Sequence, residues 1–383
     1  MPFGGVLDRS ENVMESQPKN KQLQQQQKKL TIQQQEQTHT HTHTFTHSHK
    51  LAYTHKHIAT IVSFVSFAKS VFLFATMMKA VVENSHDKPC DFAMVDNFPK
   101  PSAPAEGQVL IKVKAAATNP VDCVRSFMNI PEAFPVVVGY DVAGVVEAVG
   151  NGVTDFAVGD RVFGDVMESS TGLKVAGSLA EYVVVPAKIL AKLPDNVSFE
   201  AGAAVPVAVM TALQAFRKAG IEEGQNVFVS GGAGGVGVHA TQLAKSHFKA
   251  TAVATTASSA KIDFCKTKGR CDTVINYKTE QAGDVLPDWA NVVMDTTKDK
   301  ENCLKVKKPD GMAVTIADFS DPVNLPPLTL APSKEDIEET ASILGAGTID
   351  VIIDKVFPFE EALKALEYQQ SGRAMGKIVV KMD

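Results

Sequence analysis

The stretch VSGGAGGVGVHATQLAK, residues 229–245, constrains the fold of this chain more than any other segment. Five glycines fall within residues 231–237, and Gly232, Gly234 and Gly237 fit the spacing G-x-G-x-x-G. A strand-like run, NVFVS, precedes them and a helix-like run follows, which is the setting in which this spacing binds a dinucleotide. Gly232 permits the tight turn, Gly234 lets the backbone approach a pyrophosphate, and Gly237 lets helix and strand pack closely. Ala233, Gly235 and Val236 complete the loop. The unpaired N–H groups at the helix start, with the positive end of the helix dipole behind them, favour a phosphate there.

The neighbouring sequence supports this reading. From about residue 204 onward, the apolar runs NVFVSG, TAVATT, TVINY, NVVMDTT and MAVTIA alternate with helical stretches such as VHATQLAKSHF and SAKIDFCKTKG. Apolar strands alternating with helices imply a parallel sheet covered on both faces. The second strand of the unit ends AVATTASSAK, residues 252–261. An NAD site usually places an acid about 20 residues beyond the glycines, on the ribose 2′-hydroxyl. Here Thr255, Thr256, Ser258 and Ser259 offer hydroxyls and Lys261 a cation, with no acid. An acid repels a 2′-phosphate and a lysine attracts it, so the expected cofactor is NADPH rather than NADH.

Residues 79–200 read differently. QVLIKVKAAA alternates as a strand does, and DVAGVVEAVG, GDRVFG and LAEYVVVP follow, each bounded by Gly or Pro. Near the end, PFEEALKALEYQQSG reads as a helix, and KIVVKM as a last strand that returns to the first lobe. The expected organisation is an extension over residues 1–78, a β-rich lobe over 79–203 completed by 342–383, and a cofactor lobe over 204–341.

The extension is a different material. Residues 17–37 are rich in Gln and Lys, and residues 38–49 alternate Thr and His. Too little apolar surface is present to offset the entropy of ordering it, so disorder is expected. A translated CA repeat gives the same alternation, and the working chain is expected to begin at Met77 or Met78. Residues 58–77 are the one apolar stretch long enough to be weighed as a targeting or membrane segment, though Lys69 interrupts it. Membrane association is expected only through that stretch. Location is therefore cytoplasmic, or organellar (plastid or mitochondrial) if the extension is retained.

Composition excludes several classes. The net charge is −5, and no basic block follows residue 79, which argues against a nucleic-acid surface. The five cysteines, Cys90, Cys123, Cys265, Cys271 and Cys303, have no C-x-x-C spacing and read as reduced thiols.

The motifs AAATNPVDCVRS, VVVGYDVAGVVEAVG, GDRVFGD, GSLAEY, GGAGGVG, VINY and SGRAMGKIVV together resemble the medium-chain dehydrogenase/reductase superfamily. Within it they resemble the quinone oxidoreductase branch, in particular plant alkenal/enone oxidoreductases and chloroplast-envelope quinone oxidoreductase homologues. The resemblance covers residues 79–383. It implies an α/β chain with a GroES-like β-rich catalytic domain, a Rossmann doubly wound parallel-sheet cofactor domain and, commonly, a homodimer. Zinc alcohol dehydrogenases of this superfamily carry a Cys in the first motif and a His in the second. This chain has Asn119-Pro120-Val121-Asp122 and Tyr140 after Gly139, so no metal is expected.

Without a metal, hydride must go to a carbon that needs little activation. A conjugated carbonyl qualifies, because charge then collects on its oxygen. Tyr140 and Asn119 are the expected donors at that oxygen, and Lys174 is expected at the mouth of the site. By resemblance, Lys261 and Tyr277 grip the 2′-phosphate end, and Arg373 and Lys377 supply C-terminal contacts to the cofactor. DTTKD, residues 295–299, stands where relatives often carry Asp-x-x-Gly, and VTIADFSD lacks a following Gly. The expected activity is NADPH-dependent, zinc-independent reduction of enones, alkenals or quinones, with a small-molecule electrophile as substrate. An enoyl-thioester reductase and a catalytically silent NADPH-binding protein remain as alternatives.

Overall fold

The computed structural model describes residues 77–85, 90–124, 134–168, 174–175 and 177–382. All of them fall in one compact unit, Ala75–Asp383. The expectations placed on residues 1–76, namely disorder, targeting, the apolar stretch 58–76 and the start of the working chain, lie outside the described residues. Met77 itself opens the first strand. Among the described residues no helix is long and apolar enough to cross a membrane.

The first part of the chain is built from strands: β1 (Met77–Glu83), β2 (Phe92–Pro99), β3 (Gln108–Thr118), β4 (Val136–Val137), β5 (Asp141–Val149), β6 (Arg161–Asp165), β7 (Met167–Glu168), β8 (Lys174–Val175), β9 (Tyr182–Pro186) and β10 (Leu190–Lys192). Helix α1 (Pro120–Val124) follows β3. Helices α2 (Phe199–Ala203) and α3 (Pro206–Lys218) lead into the second part. There β11 (Asn226–Val229), α4 (Gly235–Ser246), β12 (Ala252–Ala257), α5 (Ile262–Thr267), β13 (Thr273–Asn276), α6 (Ala282–Val285), β14 (Ala290–Asp295), α7 (Lys300–Val306) and β15 (Lys307–Thr315) alternate as the sequence rhythm implies. Helix α8 (Lys334–Gly345), β16 (Ile353–Pro358), α9 (Ala362–Gln370) and β17 (Lys377–Lys381) complete the chain.

The β-rich lobe centres on a seven-stranded sheet ordered β10-β6-β5-β3-β17-β16, with β9 also paired to β3. Strand β17 returns to it as expected, antiparallel to β3, with Ile378 opposite Thr118. The run Ala115–Ala117 shows why β3 carries small residues at this point. Ala116 joins the core of the first lobe, while Ala115 and Ala117 join the core shared with α2, α3 and the second sheet. A strand buried on both faces and crossed closely by a helix has no room for larger side chains.

The second lobe is a parallel five-stranded sheet, β13-β12-β11-β14-β15. Leu213, Phe216 and Leu243 are fully buried in its core, each contributing roughly 1.5–3 kcal/mol. Helix α8 runs unbroken from Lys334 to Gly345. Ser333 caps α8, and Arg217 of α3 pairs with Asp336 and Glu339 upon it.

The strand order reverses at β11, and ligands bind beyond the carboxyl ends of strands at such a point. Three segments meet that description: the glycine loop after β11, residues 258–261 after β12, and residues 296–299 after β14. In the last of these, Lys298 occupies the position where relatives often carry glycine, and it keeps the left-handed backbone, with φ of 64°. A non-glycine residue there costs about 1–2 kcal/mol, and glycine costs about 0.5–1 kcal/mol in unfolded-chain entropy. Lys298→Gly is therefore expected to raise stability by about 0.5–1 kcal/mol in urea unfolding. A loss of stability would show instead that the lysine side chain supports the loop.

Candidate cofactor and active site

Two threonines of β12 shape the glycine loop. Gly231 N–H donates to Thr256 Oγ1 at 3.0 Å, and Gly232 N–H donates to Thr255 Oγ1 at 2.8 Å. Thr255 in turn donates to the Val229 carbonyl at 2.5 Å and is fully buried. The hydroxyl's one donor and one of its acceptor positions are used beneath the loop, and the side chain has no exposed surface. This corrects the expectation that Thr255 meets the cofactor: it shapes the turn instead.

Helix α4 then starts without a side-chain cap, with Gly234 as its extended N-cap. The first N–H groups of a helix have no partner within it, so those of Gly235, Val236 and Gly237 are presented at this end. A Cβ on Gly237 would lie 2.2 Å from the Gly231 carbonyl oxygen, so helix and loop touch there. A Cβ on Gly234 would meet only that same oxygen, at 3.5 Å, and the space above it is open. Ala233 is buried and Val236 partly so. The cradle fits a pyrophosphate.

His239 fixes the start of α4 from below. Its Nε2 accepts the Ile352 N–H at 3.2 Å, so a neutral ring carries its proton on Nδ1 and donates to the Gly235 carbonyl at 2.7 Å. Burial holds its pKa down at about 4, which keeps the ring neutral. Asp295, fully buried, accepts from Ser230 Oγ, Thr297 N–H, Asp299 N–H and Thr315 Oγ1, and so joins the ends of β11, β14 and β15.

At the end of β12, Ser258, Ser259, Lys261 and Tyr277 come together. Ser259 Oγ accepts from Asn276 Nδ2 at 3.0 Å, and Tyr277 N–H donates to the Ala257 carbonyl at 3.2 Å. Tyr277 is 49% exposed. Lys261 Nζ donates to the carbonyls of Arg373 and Ala374, at 3.0 and 3.2 Å. An ammonium has three donors, so one remains for a ligand. These bonds draw the exposed Arg373 toward the same corner.

Lys377 departs from expectation. It is only 3% exposed, and its Nζ lies 2.9 Å from Asp141 Oδ2, which is fully buried. The same ammonium donates to the Thr118 carbonyl at 3.2 Å and to Asn119 Oδ1. A Cβ on Gly235 would lie 2.9 Å from Lys377 Cδ, so the methylenes floor the glycine loop while the charge points away. Lys377 therefore supports the loop from behind rather than offering its charge to a cofactor.

Asn119 is spent in the same cluster. Its Nδ2 donates to Asp141 Oδ2 at 2.8 Å and to the Ala117 carbonyl at 3.4 Å, while its Oδ1 receives Lys377. Its backbone N–H donates to Asp122 Oδ2 at 2.6 Å. No amide donor is left for a substrate oxygen, which corrects the role expected of it. Tyr140, 2% exposed, packs in the core of the first lobe and has almost no surface to give a substrate, a second correction. Lys174 lies in β8, opposite Glu168, and its side chain is outside the described residues.

Asp141 was not legible as a site residue. Its only signal is an acid immediately before the apolar run Val142–Val146. Besides Lys377 and Asn119, it accepts the Val207 N–H at 2.7 Å and so caps α3, whose own N-cap Val205 cannot. Asp165 stands directly opposite Asp141 on β6. Burial, and then the Asp141 charge, push its carboxyl well above the usual range, so it carries its proton. Among the described residues no three His, Cys, Asp or Glu side chains converge on a metal position. Of the residues at the two zinc motifs of the superfamily, Asn119 is engaged by Asp141 and the Lys377 ammonium, and Tyr140 is a phenol where those enzymes carry His, so they do not fit a catalytic zinc.

The loop geometry separates folding from binding. Gly237→Ala is expected to cost about 1–3 kcal/mol by overpacking. Gly234→Ala is expected to leave stability within about 0.5 kcal/mol, because its backbone is extended. The same methyl is expected to weaken NADPH binding by about tenfold or more, read by fluorescence titration. Unchanged binding in Gly234→Ala would place the pyrophosphate elsewhere.

Comparison with known proteins agrees with this architecture. Residues 105–195 match the alcohol dehydrogenase GroES-like domain, and residues 270–380 match the zinc-binding dehydrogenase domain. The chain is 40% identical to the 2-methylene-furan-3-one reductase of Solanum lycopersicum over 281 residues, 72% of each chain. It is 37% identical, over 72% of each chain, to the NADPH-dependent alkenal/one oxidoreductase, chloroplastic, of Arabidopsis thaliana. The solved quinone oxidoreductase of Coxiella burnetii superposes with a TM-score of 0.72 at 27% identity, over 80% of this chain and 99% of that one. A strand-returning β-rich lobe, a glycine-looped parallel sheet and these similarities lead to one conclusion: the chain belongs to the medium-chain dehydrogenase/reductase superfamily.

Proposed function

We propose that this protein is an NADPH-dependent reductase of α,β-unsaturated ketones and aldehydes, or of quinones. The observation that carries this reading is the corner beyond β12, where Lys261 keeps a free donor beside Ser258, Ser259 and Tyr277, with no carboxylate among these residues. The names of the two plant relatives support the same substrate class.

NADPH, when bound, supplies a hydride to an electron-poor carbon. The chain's own part is placement. The N–H groups at the head of α4 receive the pyrophosphate, with Gly234 leaving room for it. Lys261 and the neighbouring hydroxyls hold the 2′-phosphate, and Arg373 adds positive charge at the rim. His239, Thr255, Thr256 and Lys377 keep the loop rigid from beneath, so binding costs little reorganisation. Asn119 is fully bonded and Tyr140 buried, so solvent is the proton source in this reading.

The test is NADPH and NADH oxidation by the full chain across enones, alkenals, quinones and an enoyl-CoA. NADPH turnover with small enones or quinones is expected. Lys261→Ala is expected to raise KM for NADPH by about tenfold or more, with little change for NADH, as for loss of one charged phosphate contact. Equal use of NADH by the wild type, or turnover confined to the enoyl-CoA, would overturn the reading.

A further inference from the structure

Cys90 and Cys123 stand apart from the other three cysteines. They lie 33 positions apart in sequence, yet Cys90 Sγ is 3.5 Å from the Cys123 carbonyl oxygen, and the two thiols are hydrogen-bonded to one another. Both are partly exposed, whereas Cys265, Cys271 and Cys303 are buried. Cys90 ends the approach to β2 in a left-handed backbone conformation, with φ of 57°. Cys123 belongs to α1, whose first residue follows Asn119.

The surroundings divide the labour between the two. Burial, the Cys90 thiol and then Asp122 push Cys123 up to about 12, so it stays protonated near neutral pH. The nucleophile in thiol–disulfide exchange is the thiolate, which disfavours Cys123 as the first attacker, and Cys90, partly exposed at the turn before β2, is assigned that step.

We propose that Cys90 and Cys123 form a dithiol site that takes up a small disulfide, such as oxidised glutathione, and closes to an intramolecular disulfide. The Cys90 thiolate attacks one sulfur of the small disulfide; that S–S bond breaks, and one glutathione leaves and takes up a proton. With Cys90 capped, its charge no longer opposes ionisation of Cys123, which gives up its proton and attacks Cys90 Sγ; the mixed disulfide breaks, and the second glutathione leaves as a thiolate and takes up that proton. The cysteines lose two electrons and the oxidised glutathione gains them. The new bond anchors α1, next to the Lys377 cluster, to the turn before β2.

The experiment is incubation of the full chain with oxidised glutathione, followed by intact mass and non-reducing peptide mapping. The expected wild-type product has lost the mass of two hydrogens, retains no glutathione, and joins Cys90 to Cys123 reversibly under dithiothreitol. Cys123→Ser is expected to stop at a glutathione adduct on Cys90, and Cys90→Ser to take up none. Phenylarsine oxide, which bridges two close thiols, is expected to bind the reduced wild type and neither variant. Retention of all five thiols, a stable adduct on wild-type Cys90, arsenical binding that survives Cys90→Ser, or a cross-link to any other cysteine would overturn the proposal.

Discussion

A buried ammonium held by a buried carboxylate organises this molecule. Lys377 and Asp141 meet 236 residues apart in sequence, both almost wholly removed from water. Such a pair gains little net stability over apolar residues of the same volume, but removing one partner leaves an uncompensated charge and costs about 3–5 kcal/mol. Its value here is placement. Lys377 belongs to the returning strand β17, Asp141 opens β5 and caps α3, and Asn119 joins both at the end of β3. The lysine methylenes then lie under Gly235 at the head of the cofactor helix. One ion pair thus ties the β-rich lobe, the C-terminal strand and the dinucleotide loop together.

The charge count around this pair has consequences. Asp122, Asp141 and Asp165 are all fully buried, and Lys377 is the cation bonded among them. Asp141 receives the ammonium and three further N–H donors' worth of stabilisation is shared between it and Asp122. Asp165 accepts the Met167 N–H, and its other oxygen has no partner among the described residues. Keeping its proton is the less costly state for a carboxyl facing another carboxylate in a dry interior. A protonated Asp165 lowers the buried negative charge that Lys377 alone must balance, and the cluster holds a fixed geometry.

Much of this was legible in the sequence because it is local. The glycine spacing, the alternation of strands with helices, the missing acid after β12 and the return of KIVVKM are each set by neighbouring residues. The roles of individual polar side chains were less legible, because their partners are distant. Asn119 reads as a donor until Asp141 and Lys377 claim its amide. Thr255 reads as a cofactor contact until the loop folds over it; in a strand covered on both faces, Thr255 and Thr256 both turn inward. Lys377 reads as a cofactor contact until β17 places it beside β3. Lys298 shows the converse: it stands where relatives often carry glycine, and the backbone there keeps the left-handed form.

The most direct test of this account is a double-mutant cycle on the central pair. Urea unfolding would compare Asp141→Asn, Lys377→Met and the double variant with the wild type. The account predicts that each single change costs about 3–5 kcal/mol and that the double variant loses far less than their sum. Losses that add to within about 0.5 kcal/mol would contradict it, because independent sites behave that way.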